Sequence, residues 1–473
     1  MADRLSRGLE SLERVLGRGK VYREPEIVSL YSREASGLRG ESWAVVFPEG
    51  ERDVSSILSL AFKYEIPVYP QGSATSLSGS SVPSGGIVVS LERMNRVREV
   101  SVLDSIAVAE PGVRLGDLNL ALSRLGYMFP VDPGSVSAAT VGGAINSGAG
   151  GMRGAKYGTM RDWVLGLKLA IADERGSVLR IGCRTLKCRQ GYDLTRLIVG
   201  SEGTLGIVVE ANLRIAPAPE TVVYAAGFYD SLEPIVEALR ILKEQGTQPL
   251  VAEFMDQETA SISASRVGSP LKPLGHMLLL GVEATRESAS RVAEELESAL
   301  ESSGARGVVV AEDSSVEGEM KLLEVRRGFF AASIEALRRR LGKRDIMVYI
   351  EDIAVPPSRL PQVYEEILGE ARERGLHVVT GGHIGDGNLH PTIGFDPGDP
   401  RERARVEEWY TRVMEIAVRN GGTVSAEHGI GTLKKRGLLM ELEYRGSEKL
   451  AEIMEAIKRA FDPKKLLNPS KVL

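Results

Sequence analysis

Hydrophobic positions in the first part of the chain form short runs separated by glycine-rich turns, and after residue 218 their spacing lengthens. The short runs predict strands at Trp43–Phe47, Ile66–Tyr69, Gly86–Leu91, Ile106–Ala109, Leu165–Ala172 and Leu205–Ile215. Amphipathic stretches lie between these runs. The pattern therefore predicts a sheet-based domain with many tight turns over residues 1–218.

Beyond Pro217 and Pro219, longer helical periods alternate with strands. Strands are predicted at Thr221–Phe228, Met277–Glu283, Ile346–Ile353 and His377–Thr380, and helices at Ser288–Glu301, Pro361–Arg374, Arg401–Arg419 and Lys434–Arg459. Pro463 ends the last helix because proline cannot donate a helical hydrogen bond. This alternation predicts a separate α+β domain that begins at residue 219.

The charge and composition narrow the classes of function. The chain has 473 residues, a net charge of −5 and no long block of one sign, so nucleic acid is not expected as a partner. No apolar run reaches membrane-spanning length, and the first residues are of mixed charge, which favours a cytoplasmic protein. Cys183 and Cys188 are too few for a zinc or iron–sulfur set, and we expect reduced thiols, with a disulfide as the alternative.

Small residues cluster in several loops of the first domain. The clusters are Pro70–Gly79, Pro133–Ser135, Thr140–Gly143, Gly148–Gly151 and Gly200–Gly206. Loops of this kind let backbone amides approach a pyrophosphate closely, although any one of them alone is more often a tight turn. Together they predict one extended nucleotide-cofactor cleft. The sequence contains neither G-x-G-x-x-G nor the P-loop motif, so the usual Rossmann and P-loop sites are not indicated.

Four of the five histidines lie within residues 377–428. His383 and His390 bracket a glycine-rich turn, and Glu427 and His428 stand together in a later loop. Two imidazoles and one carboxylate would leave open coordination positions on a divalent metal, which is typical of a catalytic site. We therefore predict His383, His390 and Glu427 as metal ligands. A hydrogen-bonded core role is the simpler interpretation for His276 and His377.

Several motifs together carry a family resemblance. They are Arg184–Lys187 followed by Gly191–Leu194, the Gly200–Gly206 block, the two histidine blocks, and the tail from Phe461 to Lys471. On these motifs the chain resembles flavoproteins of the vanillyl-alcohol oxidase and p-cresol methylhydroxylase superfamily. It is similar to glycolate oxidase subunits and to D-lactate and D-2-hydroxyglutarate dehydrogenases.

The resemblance implies an α+β fold in which residues 1–218 form a two-part FAD-binding domain. Residues 219–415 would form an α+β substrate or cap domain with an antiparallel sheet. Residues 416–473 would be a helical segment that packs back on the FAD-binding domain. Since the first 275 residues contain no histidine, the FAD is expected to be noncovalent.

The resemblance also implies which residues contact FAD. Those positions are Pro70, Gly72, Ser73, Ala74, Thr75, Ser76, Gly79, Pro133, Gly134, Ser135, Thr140, Gly142, Gly143, Asn146, Gly150, Gly151, Glu202, Gly203, Ile207 and Asn468. Gln71 stands where many relatives carry an arginine, which removes one phosphate contact.

The implied reaction is the oxidation of a 2-hydroxy acid of the D-lactate or glycolate type to the 2-oxo acid, with hydride passing to flavin N5. A divalent metal, with zinc the expected ion, would polarise the substrate hydroxyl. His428 would be the base, with a further metal ligand as its alternative role, Arg326 would bind the substrate carboxylate, and Thr392 would face the substrate. Ile350 stands where hydroxyglutarate enzymes place a lysine, which disfavours a second carboxylate on the substrate.

Two alternatives stay open from the residues. One is a metal-dependent hydrolase without flavin, which would be colourless. The other is a flavin subunit that needs a partner for activity. The sequence does not indicate the electron acceptor: a quinone, a cytochrome, an electron-transfer flavoprotein and oxygen all stay open, as do a homodimer and a heteromeric complex. Peripheral contact with the inner face of the membrane also stays open, although no amphipathic basic helix indicates it.

Overall fold

The computed structural model describes residues 2–17, 19–189 and 191–473. The strands are β1 (Val21–Tyr22), β2 (Ala44–Val46), β3 (Val68–Gln71), β4 (Ile87–Ser90), β5 (Val97–Ser101), β6 (Ile106–Ala109), β7 (Tyr127–Met128), β8 (Val164–Ala170), β9 (Val178–Gly182), β10 (Ile207–Arg214), β11 (Ala216–Pro217), β12 (Thr221–Tyr229), β13 (Val251–Met255), β14 (His276–Ala284), β15 (Val308–Ala311), β16 (Met347–Ile350), β17 (Ile353–Ala354), β18 (Val378–Gly382) and β19 (Asn388–Phe395).

The helices are α1 (Ala2–Leu16), α2 (Pro25–Tyr31), α3 (Glu51–Tyr64), α4 (Leu115–Ser123), α5 (Val141–Ser147), α6 (Gly154–Tyr157), α7 (Met160–Trp163), α8 (Leu194–Ile198), α9 (Glu233–Glu244), α10 (Gln257–Val267), α11 (Ala289–Ser302), α12 (Ser314–Met320), α13 (Leu322–Arg327), α14 (Phe329–Leu341), α15 (Leu360–Glu373), α16 (Pro400–Arg419), α17 (Lys435–Tyr444) and α18 (Lys449–Phe461). In the part of the chain that the structure describes, no helix is both long enough and apolar enough to cross a membrane.

The chain forms two compact units. The first comprises Met1–Gly150, Thr159–Ala218 and Glu427–Leu473, and the second comprises Gly151–Gly158 and Pro219–Ala426. The change of pattern after residue 218 coincides with one boundary between them. The structural units differ from the predicted division at residue 415, because the second unit continues to Ala426, and they also differ in the short segment 151–158.

The first unit contains two main sheets. One has the order β1-β2-β4-β3, with β2 and β3 both parallel to β4, and the other is antiparallel with the order β5-β6-β10-β8-β9. Strands β2 and β4 are buried throughout, as expected for apolar runs in a parallel sheet. Helices α1 and α3 bury Leu9, Leu12, Ile57 and Leu58 in the same core as these strands.

The C-terminal residues belong to the first unit. One helix was predicted over Lys434–Arg459, and this prediction was wrong: α17 ends at Tyr444 and α18 begins at Lys449. Gly446 interrupts the helix with a φ of +59°, in the left-handed region that favours glycine. The tail then pairs Leu467 with Val68, and the Asn468 amide donates to the Val68 carbonyl at 2.7 Å.

The second unit is built on an antiparallel sheet with the order β15-β12-β14-β13-β18-β19-β16, and β17 also pairs with β19. The segment 151–158 is attached to this unit because Lys156 forms an ion pair with Glu283 and the Tyr157 hydroxyl donates to Oε1 of Glu283 at 2.7 Å. The predicted α+β class with an antiparallel sheet is confirmed.

Cys183 and Cys188 form a disulfide, with their Cα atoms 5.9 Å apart. The expectation of reduced thiols was therefore wrong, and the alternative holds. The bond closes a short loop directly after β9, in which Leu186 is exposed.

Candidate active site

A buried carboxylate joins two of the predicted site residues in the second unit. Glu253 lies in the middle of β13 and is fully buried. Its carboxylate lies 2.8 and 2.9 Å from Nδ1 of His383, and its Oε2 lies 2.7 Å from Nε of Arg326. The contact with Arg326 is an ion pair without the alignment of a hydrogen bond. Glu253 therefore fixes both an imidazole and a guanidinium.

The strand pairing explains how these side chains meet. Phe254 of β13 pairs with Gly382, the last residue of β18, so His383, which directly follows that strand, comes next to Glu253 although 130 residues separate them. Arg326 lies in α13, and its guanidinium stands 5.3 Å from the ring centre of Phe329. A cation over an aromatic face is stabilised by the ring quadrupole. The arginine is thus held from two sides.

His390 is positioned by polar groups of Glu351 and Asp352. It lies in β19, and its Nδ1 is 3.2 Å from the Glu351 carbonyl and 3.9 Å from Oδ1 of Asp352. Asn388 donates to the same Oδ1 at 2.9 Å. The hydroxyl of Ser425 and the amide of Ala426 donate to Oδ2 of Asp352, each at 3.0 Å. Asp352 consequently fixes the backbone that leads directly into Glu427.

The predicted hairpin between His383 and His390 is confirmed. β18 ends at Gly382, β19 begins at Asn388, and Gly381 pairs with His390. The two imidazole rings are 5.2 Å apart and nearly perpendicular. Both histidines are buried. The turn therefore brings together two nitrogen donors that are seven positions apart in the sequence.

Thr392 lies on the same face of β19 as His390, because side chains alternate along a strand. It is fully buried, and its hydroxyl donates to the His390 carbonyl at 3.0 Å. Ile350 of β16 pairs directly with Thr392. Directly opposite residues of an antiparallel pair have Cβ atoms within about 5.5 Å, so an apolar side chain borders this threonine.

In the first unit, the predicted cofactor loops lie together. A Cβ atom on Gly72 would come within 2.2 Å of Oγ1 of Thr140, and one on Gly203 would come within 2.6 Å of Cγ of Pro70. The Asn468 side chain donates to the carbonyls of Ser80 and Glu202 at 2.9 and 2.6 Å. The loop after β3, the start of α5, the Gly200–Gly206 block and the tail thus converge.

The remaining cofactor positions are distributed around these loops. Pro133–Ser135 form a turn, in which the Ser135 carbonyl accepts from the Ala138 and Ala139 amides, and the Ser73 hydroxyl donates to the Ala138 carbonyl. Gly142 and Gly143 lie in the first turn of α5, and Gly143 donates to Thr140. Gly151 belongs to the second unit. Ala74, Thr75, Ser76 and Gly79 lie in the loop after β3, and Ile207 begins β10.

His428 and Glu427 lie in a turn of the first unit. Nε2 of His428 is 3.8 Å from Oε1 of Glu427, and a Cβ on Gly150 would come within 2.9 Å of Oε2 of Glu427.

The carboxylate of Glu202 accepts hydrogen bonds from the amides of Ile430 and Gly431 at 2.6 and 2.8 Å. Burial raises the pKa of Glu202 to about 7, although these amides and the charge of Lys471 oppose the rise.

Comparison with known proteins agrees with this architecture. The structure of p-cresol methylhydroxylase with substrate bound aligns with a TM-score of 0.79 at 15% identity, covering 100% of this chain and 97% of that one. Residues 43–182 match a family of FAD-binding domains, and residues 218–472 match the C-terminal domain of FAD-linked oxidases. The chain belongs to the FAD-linked oxidases.

Two curated relatives of this FAD-linked oxidase are similar over almost their whole length. A D-lactate dehydrogenase of Archaeoglobus fulgidus is 35% identical and covers 98% of both chains. A glycolate oxidase subunit of Bacillus subtilis is 34% identical, covering 91% of this chain and 88% of the relative. The predicted resemblance is confirmed, and a hydrolase without flavin loses its basis.

The residues of the FAD-linked oxidase fit a flavin nucleotide. The glycines at 72 and 203 leave no room for side chains and bring the loop backbones close to each other. Oδ1 of Asn146 and Oγ of Ser201 are buried and have no hydrogen-bond partner among the described residues. Buried polar atoms are usually satisfied, so these two are candidates for contacts with the cofactor.

The donors also fit a divalent metal. Nδ1 of His383 contacts Glu253 and Nδ1 of His390 contacts the Glu351 carbonyl, so Nε2 of each ring is the atom predicted to coordinate. This arrangement, in which a carboxylate or carbonyl orients the ring of a ligating histidine, is usual at metal sites. The ligand assignments themselves stay predictions.

Sequence reasoning missed Glu253, Asn388 and Ser425, and it assigned no role to Asp352. Glu253 offers one signal: it is the single charged residue in a strand, Val251–Met255, that is otherwise apolar and entirely buried. A buried carboxylate requires a partner. Asn388 and Ser425 carry no such signal, because Asn388 begins β19 directly after a glycine-rich turn and Ser425 lies in a loop, where polar residues are common.

Proposed function

We propose that this FAD-linked oxidase oxidises a 2-hydroxy acid of the D-lactate or glycolate type to the corresponding 2-oxo acid. The observation that carries the proposal is the buried Arg326. Its ion-pair partner, Glu253, also contacts Nδ1 of His383. A guanidinium has five N–H donors, so one contact with Glu253 leaves others for a substrate carboxylate. The names of the relatives, a D-lactate dehydrogenase and a glycolate oxidase subunit, support this substrate class.

Arg326 would bind the carboxylate of the acid in bidentate fashion, and Glu253 and Phe329 would keep the guanidinium in one orientation. Thr392 would face the substrate from β19. Ile350, opposite Thr392, supplies apolar surface at that place. We therefore expect an acid with a short side chain and without a second carboxylate.

His383, His390 and Glu427 would hold a divalent metal, with zinc the expected ion, and Asp352 is a further oxygen donor beside His390. A metal held in this way would lower the pKa of a substrate hydroxyl. Support comes from the chain itself: the Ala426 amide donates to Asp352, and Glu427 is the next residue. Glu427 therefore directly follows the backbone segment that Asp352 holds.

His428 would act as the general base. Its imidazole would take the proton of the substrate hydroxyl while the Cα–H bond breaks and the carbon–oxygen double bond of the 2-oxo acid forms. FAD, when bound, accepts the hydride and both of its electrons at N5. Arg326 would hold the carboxylate in place throughout, which fixes the direction of the Cα–H bond.

The test is anaerobic mixing of the purified flavoprotein with a panel of D- and L-2-hydroxy acids, while the flavin absorbance is followed with and without a chelator. We expect one enantiomer of a short 2-hydroxy acid to bleach the flavin, and the chelator to suppress the bleaching. If no acid bleaches the flavin of metal-replete protein, but an acid does so after a partner subunit is added, the chain is a subunit that requires that partner.

His428→Ala should slow flavin reduction far more than it lowers the metal content. The matched control is His377→Ala, because His377 is exposed and precedes β18. A loss of metal in proportion to the loss of rate in His428→Ala would make His428 a ligand instead of the base.

A further inference from the structure

The turn after His428 is anchored to a buried carboxylate of the first unit. Oε1 of Glu202 receives the Ile430 amide at 2.6 Å, and Oε2 receives the Gly431 amide at 2.8 Å. Glu202 is 5% exposed. Both oxygens of one side chain thus bind consecutive amides, two and three residues beyond the proposed base.

We propose that Glu202 is a positioning residue for His428: its carboxylate fixes the turn 428–431 against the Gly200–Gly206 block. The proposal rests on the proposed function in so far as His428 is the base. It assigns to the Glu202 side chain a role distinct from the cofactor contact expected of this position.

The turn is fixed from a second side by Ser78. The Ser78 hydroxyl donates to the His428 carbonyl at 3.0 Å, and the Ser78 carbonyl accepts from the Thr432 amide at 3.0 Å and from the Leu433 amide at 3.2 Å. Ser78 belongs to the Pro70–Gly79 loop, which is predicted to wrap the FAD diphosphate. The cofactor loop therefore holds the turn at both of its ends, and Glu202 holds the amides between them.

The turn has no room for a side chain at position 429 or 431. A Cβ atom on Gly429 would come within 2.7 Å of Oε1 of Glu202, and one on Gly431 within 2.1 Å of the Ser78 carbonyl oxygen. Both glycines have positive φ, 82° and 53°. The backbone thus lies against the carboxylate and the loop more closely than any side chain would permit.

Other charged groups surround Glu202. Glu34 receives the amides of Gly79 and Ser81 at 2.6 and 3.1 Å, so it holds the same cofactor loop. Lys471 donates to the Val82 carbonyl at 2.7 Å and interacts favourably with both carboxylates. Hydrogen bonds to an ionised acceptor are about twice as strong as neutral ones. When Glu202 is ionised, it therefore restrains the turn more firmly than a neutral acceptor would.

The experiment compares Glu202→Gln and Glu202→Asp with the control Glu110→Gln in the holoenzyme. Glu110 is also a buried carboxylate of the first unit, but its partners are the Arg96 amide and the Arg98 side chain. Hydrogen exchange is measured on peptides covering residues 428–433. Flavin content, the limiting rate of flavin reduction by a 2-hydroxy acid, the apparent substrate Kd, and reduction by dithionite are measured on the same samples.

For Glu202→Gln we expect at least about tenfold faster exchange in residues 428–433 and a limiting rate lowered about 10- to 100-fold, since a displacement near 1 Å costs up to about 100-fold. Substrate Kd should change less than about threefold, and dithionite should reduce the flavin normally. Glu202→Asp keeps the charge with a shorter reach, and we expect it to recover part of the rate. If Glu202→Gln does not fold, the same measurements on Glu202→Asp test the proposal.

Unchanged exchange in residues 428–433 would overturn the proposal, and so would a loss of rate that matches a loss of flavin. The proposal would also be overturned if Glu110→Gln changed the exchange and the rate as much as Glu202→Gln does. If wild-type flavin is not reduced by any 2-hydroxy acid, the proposed function fails. In that case the hydrogen exchange alone decides whether Glu202 fixes the turn.

Discussion

Nδ1 of His383 lies 2.8 Å from Oε1 of Glu253, a residue of β13 that stands 130 positions earlier in the chain. Since the same carboxylate contacts Arg326, one buried side chain orients a predicted metal ligand and the predicted substrate-binding cation. The chemistry proposed for the second unit therefore depends on a residue that would touch neither the metal nor the substrate.

Glu253→Gln should weaken metal retention by about 10- to 100-fold, because outer partners of ligating histidines have effects of this size. It should also raise the KM for the hydroxy acid, since Arg326 loses its ion pair. Metal content after graded chelation and steady-state kinetics measure the two effects. The control is Asp256→Asn, a buried carboxylate that receives the Thr259 and Thr380 amides at 2.8 and 2.5 Å. It should lower stability and leave the KM unchanged.

Ile350→Lys should shift the preference toward acids with a second carboxylate. Ile350 pairs with Thr392, and a lysine there would offer a charged hydrogen bond worth about 1.5–3 kcal/mol, which is about 10- to 100-fold in relative kcat/KM. The rates for D-lactate and D-2-hydroxyglutarate provide the ratio. Val348→Lys is the control, because Val348 lies on the same strand and face but pairs with Gly394. An equal shift in both variants would mean that the added charge acts at long range.

Gly72→Ala should release flavin. The new Cβ would lie 2.2 Å from Oγ1 of Thr140, and overpacking of this kind costs about 1–3 kcal/mol, so the flavin Kd should rise about tenfold or more. The ratio of flavin to protein absorbance after dialysis measures it. Gly369→Ala has no atom within 4 Å of the added Cβ and should keep its flavin. Full flavin content in Gly72→Ala would remove this loop from the cofactor site.

The stability of the apoprotein should fall as the pH rises from about 4.5 to about 7. The folded-state pKa of Glu202 is raised to about 7, above its ordinary value, so the folded protein binds the proton more tightly than the unfolded chain does. The stabilisation from Glu202 is fully present below the pKa of this group in the unfolded chain, and it is lost as the pH approaches 7. Over that range the free energy of unfolding falls by up to about 1.4 kcal/mol per pH unit. Lys471, whose pKa burial lowers to about 8, acts only at higher pH.

Urea unfolding at several pH values measures this slope. Glu202→Gln should flatten it, because glutamine does not titrate, while the absolute stability can change in either direction. A slope that is the same in the variant and the wild type would assign the pH dependence to other groups.

The sequence predicted most of the strands and the turn between His383 and His390, because apolar periods and glycine-rich turns are local signals, and its motifs carried the resemblance to the flavoprotein family. It missed the partnership of Glu253 with His383, which depends on the pairing of Phe254 with Gly382 and has no local signature. The break at Gly446 was missed because the flanking residues are good helix formers. The disulfide was missed because two cysteines in a short loop have the same sequence whether they are oxidised or reduced.

Neither compact unit is a continuous stretch of the chain, and this determines where the gene can be cut. A fragment that stops at Ala218 would contain Glu202 but would lack the amides of Ile430 and Gly431, the side chain of Asn468 and the cation of Lys471. An isolated N-terminal half would thus carry a carboxylate deprived of its donors at the centre of its cofactor loops. Splitting or fusing this protein therefore requires that residues 427–473 remain attached to residues 1–218.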